Sequence, residues 1–455
     1  MKILNNTLAV ALTSMCFLTA CHDNDDNDTT QITPPTPLTD CMWHDGVTSK
    51  SHTGEDAMNF AYPDTNVNYY TSQFNIPEGA RVFVDGDFPY SRHMSLVSYE
   101  ANGTRVNSLL DAEIQPNAGV TNPFVVGNKR LEKERGYSTE IKIGNLPAKP
   151  EKNTLYAPPT TDNSLVIWYR VYVPNEGYNS KGGVEFPHFK VVTKEGKEIK
   201  GQEVCQFLNV KDKPVQNYNA FSGDIVQKAF SRQLYSGFPA QLTPTWYAAR
   251  NGTANAQCAY KIGIEKCEGL TPERKLNFWA TPDNEYVFAT TSRRIGKVLL
   301  LNGKLPKIAS TQNNEAVLGS GDLRYMSICT NEITSTATNY CLYDGDLSKN
   351  LDAEGKYKII VSLPEDRPKN ATEECGYKFL ALSPRGSGLK SPEGEDYGHE
   401  DFGLLIMRNL LPYPGFNQAV QNTVTWGDEK SVMGDYLPTI QYLDQNAIDN
   451  LECKR

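Results

Sequence analysis

The sequence predicts a mostly β chain: two related antiparallel β-sandwich or jelly-roll domains arising from an internal duplication, with few short helices. Three observations lead there. Short segments rich in β-branched and aromatic residues recur at 81–84, 94–99, 140–143, 165–173 and 189–192, with Gly, Pro, Asn and Asp between them. A set of residue patterns then returns in the same order roughly 217 positions later. Helical signals, finally, are few and brief.

The repeat can be followed residue by residue. Asn59-Phe60 and Pro63-Asp64 return as Asn277-Phe278 and Pro282-Asp283, and Val82 to Gly86 with Pro89 as Leu299 to Gly303 with Pro306. Arg92-His93-Met94-Ser95, with Glu100 behind, matches Arg324-Tyr325-Met326-Ser327 with Glu332. Leu109, Asp111, Glu113, Ile114 and Asn117 align with Leu342, Asp344, Asp346, Leu347 and Asn350. Further on, 137–143 aligns with 357–361, and 165–174 with 377–384. The offset grows along the chain, which implies an insertion in the second copy, and the polar, Gly-containing stretch 307–322 is where a loop would take it. The expected organisation is a signal peptide at 1–20, an acidic and Pro/Thr-containing tether at 21–55, a first β repeat at 56–210, a connector at 211–270, a second repeat at 271–412 and a capping segment at 413–455. The connector should hold a helix at 224–234, where Ile225, Ala229 and Phe230 share a face, and two short helices are expected at 417–422 and 444–451.

The N-terminus bears on location. Lys2, an apolar run from Leu8 to Leu18 and the sequence Leu18-Thr19-Ala20-Cys21 form a segment too short for a permanent span but suited to export and cleavage. Its last four residues resemble the lipobox of bacterial lipoproteins, which implies acylation of Cys21 and anchoring to a membrane by several chains. His22 follows Cys21 where an acidic residue would retain an enterobacterial-type lipoprotein, so the resemblance implies the outer membrane. The next residues, 22–40, have little apolar surface to offset ordering entropy and read as a solvated spacer.

The formal charge of −9 and the lack of any basic block argue against nucleic acid as a partner. Of ten cysteines, Cys16 leaves with the signal and Cys21 takes lipid; the remaining eight favour disulfides in an exported chain. Cys258 with Cys267 and Cys329 with Cys341 are the expected pairs. Cys41, Cys205, Cys375 and Cys453 admit three pairings, among which spacing does not choose. With no C-x-x-C and no H-E-x-x-H, neither a metal nor a cofactor is expected.

At this point the chain resembles an uncharacterised family of secreted bacterial proteins and lipoproteins with a duplicated β domain. The residues that carry the resemblance are Pro77 to Arg81 with Gly86 and Pro89, Arg92 to Ser95, Asn122-Pro123-Phe124, Tyr169 to Pro174, Arg324 to Cys329, Cys341, Arg408 to Pro412 and Met433 to Tyr436. It is similar, more distantly, to jelly-roll domains of unknown function. The resemblance supports the fold and implies no reaction.

Neither a nucleophile elbow nor a phosphate loop appears. The expectation is therefore a membrane-anchored, non-catalytic binding protein with a small-molecule or glycan ligand between its two domains, where similar folds commonly leave a cleft. Its candidate ligand contacts are Arg92, His93, Tyr156, Arg170, Arg324 and Glu332. Tyr156 belongs to a set of aromatics able to stack on a sugar. Arg92 with Asp111 and Arg324 with Asp344 recur as a basic and an acidic residue in each copy, and an ion pair inside each domain is expected from them. One alternative is a secreted hydrolase or lyase working through Asp64, Glu100, Asp111 or Glu332. The other is a structural subunit of an envelope complex, its protein partner unspecified.

Overall fold

A computed structural model describes residues 39, 41–47, 59–100, 103–211, 242–251, 254–255, 267–274, 279–333, 335–388 and 400–453. The signal peptide, most of the tether, Cys21, the expected helix at 224–234, Asn277, Phe278 and Cys258 lie outside them. The strands of the first half are β1 (His44–Asp45), β2 (Val67–Asn75), β3 (Arg81–Asp87), β4 (Ser91–Tyr99), β5 (Arg105–Leu110), β6 (Gly136–Ile143), β7 (Thr154–Ala157), β8 (Ser164–Pro174), β9 (His188–Val192) and β10 (Glu198–Ile199). The second half follows with β11 (Tyr247–Ala248), β12 (Asn284–Ser292), β13 (Leu299–Lys304), β14 (Leu323–Asn331), β15 (Thr338–Tyr343), β16 (Lys356–Ser362), β17 (Lys378–Ala381), β18 (Phe402–Pro412) and β19 (Thr439–Tyr442). Among the described residues the α-helices are short: Glu203–Phe207, Asp344–Leu347, Glu429–Met433 and Gln445–Asp449. None of them is long and apolar enough to cross a membrane.

The fold is mostly β, as predicted, and forms two sandwich-like domains. The first has sheets ordered β1-β2-β8-β4-β5 and β10-β9-β3-β6-β7; the second has β11-β12-β18-β14-β15 and β17-β16-β13-β19. Read strand for strand, the two orders are the same, apart from β10, which has no counterpart beside β19 among the described residues. Each half even carries its one parallel pairing at the same place, β6 with β7 and β16 with β17.

Local details repeat as well. Trp43 Nε1 donates to the Pro187 carbonyl at 2.8 Å, and Trp246 Nε1 donates to the Pro438 carbonyl at 2.7 Å. Each tryptophan thereby pins its sandwich's first short strand against the proline just before β9 or β19. A Cβ on Gly86 would lie 3.0 Å from Tyr137 Oη and from Pro187 Cβ; on Gly303 it would lie 2.7 Å from Tyr357 Oη and 2.9 Å from Pro438 Cβ. Both glycines thus allow a close approach of the same tyrosine and proline.

These contacts adjust the expected correspondences. Residues 41–47 belong to the first sandwich, while Trp246 and β11, from the expected connector, and β19, from the expected capping segment, are built into the second. The counterpart of 165–174 is β18, not 377–384: Pro174 sits opposite Ser91, and Pro412 opposite Leu323, the residue equivalent to Ser91. Segment 377–384 instead supplies β17, the partner of β7. A short apolar strand resembles any other at low identity, and only pairing register separates them.

Each sandwich has its own core. Phe74, Val82, Met94, Leu96, Ile167, Tyr169 and Phe189 fill the first, and Val287, Leu301, Met326, Ile328, Ile359, Leu405 and Met407 the second. Cys41–Cys205 ties the start of the first sandwich to the helix Glu203–Phe207, and Cys375–Cys453 ties the C-terminal segment to the β16–β17 crossover. Cys329–Cys341 joins directly opposed residues of β14 and β15, as expected. Cys267 is disulfide-bonded.

Candidate functional site at the joint of the two sandwiches

Strand β8 is buried almost end to end. Alternate side chains of a strand point to opposite faces, so Leu165, Ile167, Tyr169 and Val171 fill the core while Val166, Trp168, Arg170 and Tyr172 face outward. That outer face is covered by the second half. Tyr172, Val173 and Val67 form one apolar cluster with Tyr325 and Leu410, and Trp168 stacks on Trp279 with ring centroids 4.9 Å apart.

Polar residues at this joint are exchanged between the halves. Arg92 donates from Nη1 to Asp344 Oδ1 and Oδ2 at 2.9 and 2.5 Å, and both residues are buried. Arg324 Nη1 lies 3.5 Å from Asp111 Oδ2 and donates to the Arg92 carbonyl, while its Nη2 donates to the carbonyl of Phe124. The ion pair expected inside each domain is therefore not what forms: the partners are crossed, and each arginine faces the carboxylate of the other half, because the strands turn these side chains outward onto the joint. A two-fold relation produces this naturally, since a contact from residue i to residue j comes back as j to i.

The next residue follows the same rule with different chemistry. His93 Nδ1 lies 2.7 Å from Asp111 Oδ2, and its Nε2 lies 3.5 Å from Asp283 Oδ2 of the second half. Tyr325, the equivalent of His93, donates to Asp64 Oδ2 of the first half at 2.9 Å. Burial alone would drive the His93 imidazole toward neutrality, but the charge and hydrogen bond of Asp111, reinforced by Asp283, outweigh it and raise the group above its ordinary value. Asp111 is correspondingly held below the usual carboxylate range: its burial is more than offset by His93 and Arg324.

Between β13 and β14 the second half inserts residues 305–322, where the first has only 88–90 between β3 and β4. This is the insertion expected at 307–322, and it reaches across the joint. Thr311 Oγ1 accepts from Arg92 Nε at 2.6 Å, and Gln312 accepts from the same guanidinium. Gly127 N donates to the Leu318 carbonyl, Arg130 N to the Ala316 carbonyl and Glu176 N to the Gln312 carbonyl. Val125, Val126, Leu131 and Val317, along this seam, are exposed.

Of the candidate contacts, Arg92, His93, Arg170 and Arg324 gather at the joint. Tyr156 lies on β7, buried, with its hydroxyl accepting from Glu151 N. Glu332, beyond the end of β14, accepts from Arg385, Ser335 and Ser383. Sequence reasoning missed the site roles of Asp283, Thr311 and Arg408. Arg408 had a signal, since it aligns with Arg170 once β8 is matched to β18. It lies 3.7 Å from Asp64 and donates to the Tyr62 carbonyl and to Cys329 Sγ. Asp64, Cys329 and Cys341 form a group compact enough for a metal, but both sulfurs are committed to the disulfide.

No family model matches this chain, and no curated protein does. Among solved structures, an uncharacterized protein from Burkholderia cenocepacia is similar at 10% identity with a TM-score of 0.45, over 89% of this chain and 82% of that one. A protein from Vibrio parahaemolyticus is similar at 11% identity with a TM-score of 0.36, over 84% and 90% of the respective chains.

Proposed function

We propose that the chain is a non-catalytic binding protein of the bacterial cell envelope, held to a membrane by lipid on Cys21, with its ligand surface where the two sandwiches meet. The observation that carries the reading is the state of the acidic residues. A general acid or base must reach a substrate proton, yet of the four acidic candidates Asp64, Asp111 and Glu332 are buried and engaged by Arg408, by His93 with Arg324, and by Arg385. That leaves Glu100, exposed just past the end of β4, without a second accessible candidate to work with. The filled joint leaves its rim as the surface for a small-molecule or glycan ligand, with Val125, Val126, Leu131 and Val317 as apolar contacts.

The test is a glycan and ester panel offered to the purified protein, read for both binding and turnover. Binding abolished by Val126→Glu or Val317→Glu, with the melting temperature unchanged, supports the reading; turnover of any compound in the panel refutes it. The anchor is tested separately, by incorporation of labelled palmitate that Cys21→Ser abolishes. The same exposed valines favour a second reading, a subunit of an envelope complex, in which crosslinking at position 126 captures a protein and the panel binds nothing.

A further inference from the structure

The two outer faces of the joint carry matching rows of polar side chains, and only one row is satisfied. In the second half, Tyr325 and Ser327 are on β14 and Arg408 is on β18, registered opposite Ser327. All three address one atom, Asp64 Oδ2, at 2.9, 2.6 and 3.7 Å. The equivalent row in the first half is His93 and Ser95 on β4 with Arg170 on β8, registered opposite Ser95. These residues are as deeply buried, but the corresponding carboxylate, Asp283, stands 3.5 Å from His93 Nε2. Ser95 Oγ, Arg170 Nη1 and His93 Nε2 all lack a hydrogen-bond partner among the described residues, as does Asp283 Oδ2 itself. Arg170 spends its Nη2 on Tyr99 Oη and the Trp279 carbonyl, and no described carboxylate lies within ion-pair distance of it. A buried guanidinium without a counter-charge and a buried hydroxyl without a partner are each costly.

We propose that the His93, Ser95 and Arg170 row binds a small monovalent anion, a halide or a formate-sized carboxylate, in the position that the Asp64 carboxylate takes against the counterpart row. The site is internal to the joint and independent of the ligand surface proposed above. The anion accepts from Ser95 and Arg170, which sit opposite each other on neighbouring strands of the first half, on the face that the second half covers. Asp283, still facing His93, restricts the site to a single negative charge of small size.

The test compares melting of the purified chain in sodium chloride and in sodium gluconate at equal ionic strength, gluconate being too large to enter. The melting temperature falls in gluconate and returns as chloride or formate is added back; whichever acts at the lower concentration identifies the preferred anion. Ser95→Ala raises the half-saturating concentration about fivefold, the loss of one hydrogen bond. Ser95→Asp supplies the carboxylate from the chain itself, and this variant melts alike in both salts. A crystal grown in sodium bromide shows an anomalous peak beside Arg170. Identical wild-type melts in the two salts, or a bromide crystal with no peak there, overturns the proposal.

Discussion

The Arg92 guanidinium is paired with the Asp344 carboxylate, 252 residues along the chain, in a bond closed between the sandwiches. Arg324 faces Asp111 in the reverse sense. Removing one partner of a buried pair leaves an uncompensated charge, at a cost of about 3–5 kcal/mol. Arg92→Met and Asp344→Asn should each lower stability by that order. In a double-mutant cycle the two should couple more strongly than Arg92→Met with Asp111→Asn, as measured by denaturant unfolding; equal couplings would mean that the pairs are not exchanged.

His93 makes the joint sensitive to alkali. Its folded-state value is raised, so the protonated imidazole stabilises fully below the unfolded value near 6.5, and that contribution is lost as pH rises through the folded value. The groups around it are Asp111, Asp283 and the Tyr172 ring, with Arg324 beyond Asp111. The melting temperature should fall as pH rises above about 6.5 and on through the raised folded value, and His93→Gln should flatten that dependence. An unchanged slope in the variant would assign the effect to other groups.

Two of the disulfides differ in the loop they close. Cys41–Cys205 spans 164 residues and Cys329–Cys341 spans 12. On the chain-entropy account, opening the first should cost about 5 kcal/mol and the second about 3. Unfolding of the paired Cys→Ser variants measures the difference.

The glycine pair offers an internally controlled test. Gly303→Ala meets Tyr357 Oη and Pro438 Cβ more closely than Gly86→Ala meets Tyr137 and Pro187. Overpacking costs about 1–3 kcal/mol, so both variants should be destabilised, with Gly303→Ala the worse, by denaturant midpoint.

Much of this architecture was legible beforehand, because strands announce themselves by alternation and bounding turns. The segments expected at 94–99, 165–173 and 189–192 fall inside β4, β8 and β9, and the expected insertion is the arm between β13 and β14. The recurrence of Arg92 and Asp111 as Arg324 and Asp344 was legible too. Which aspartate each arginine takes was not, because residue types recur identically whether a pair closes within a copy or between copies. The role of Asp283 depends on the register of β12 and on where the second half docks, and neither leaves a trace in local sequence. Tyr156 and Glu332 attracted notice as residue types, yet Tyr156 is buried on β7 and Glu332 is spent on Arg385, Ser335 and Ser383.

The arm between β13 and β14, together with the crossed ion pairs, also sets the timing of maturation. In chain order Arg92 comes long before Thr311, Gln312 and Asp344, the groups that accept its hydrogen bonds. Until they arrive, the first sandwich must keep that guanidinium in water and leave the face bearing Trp168 and Tyr172 uncovered. A chain interrupted after its first half would therefore present a wet, sticky sheet to the quality-control proteases of its compartment, and only the finished polypeptide could hide it.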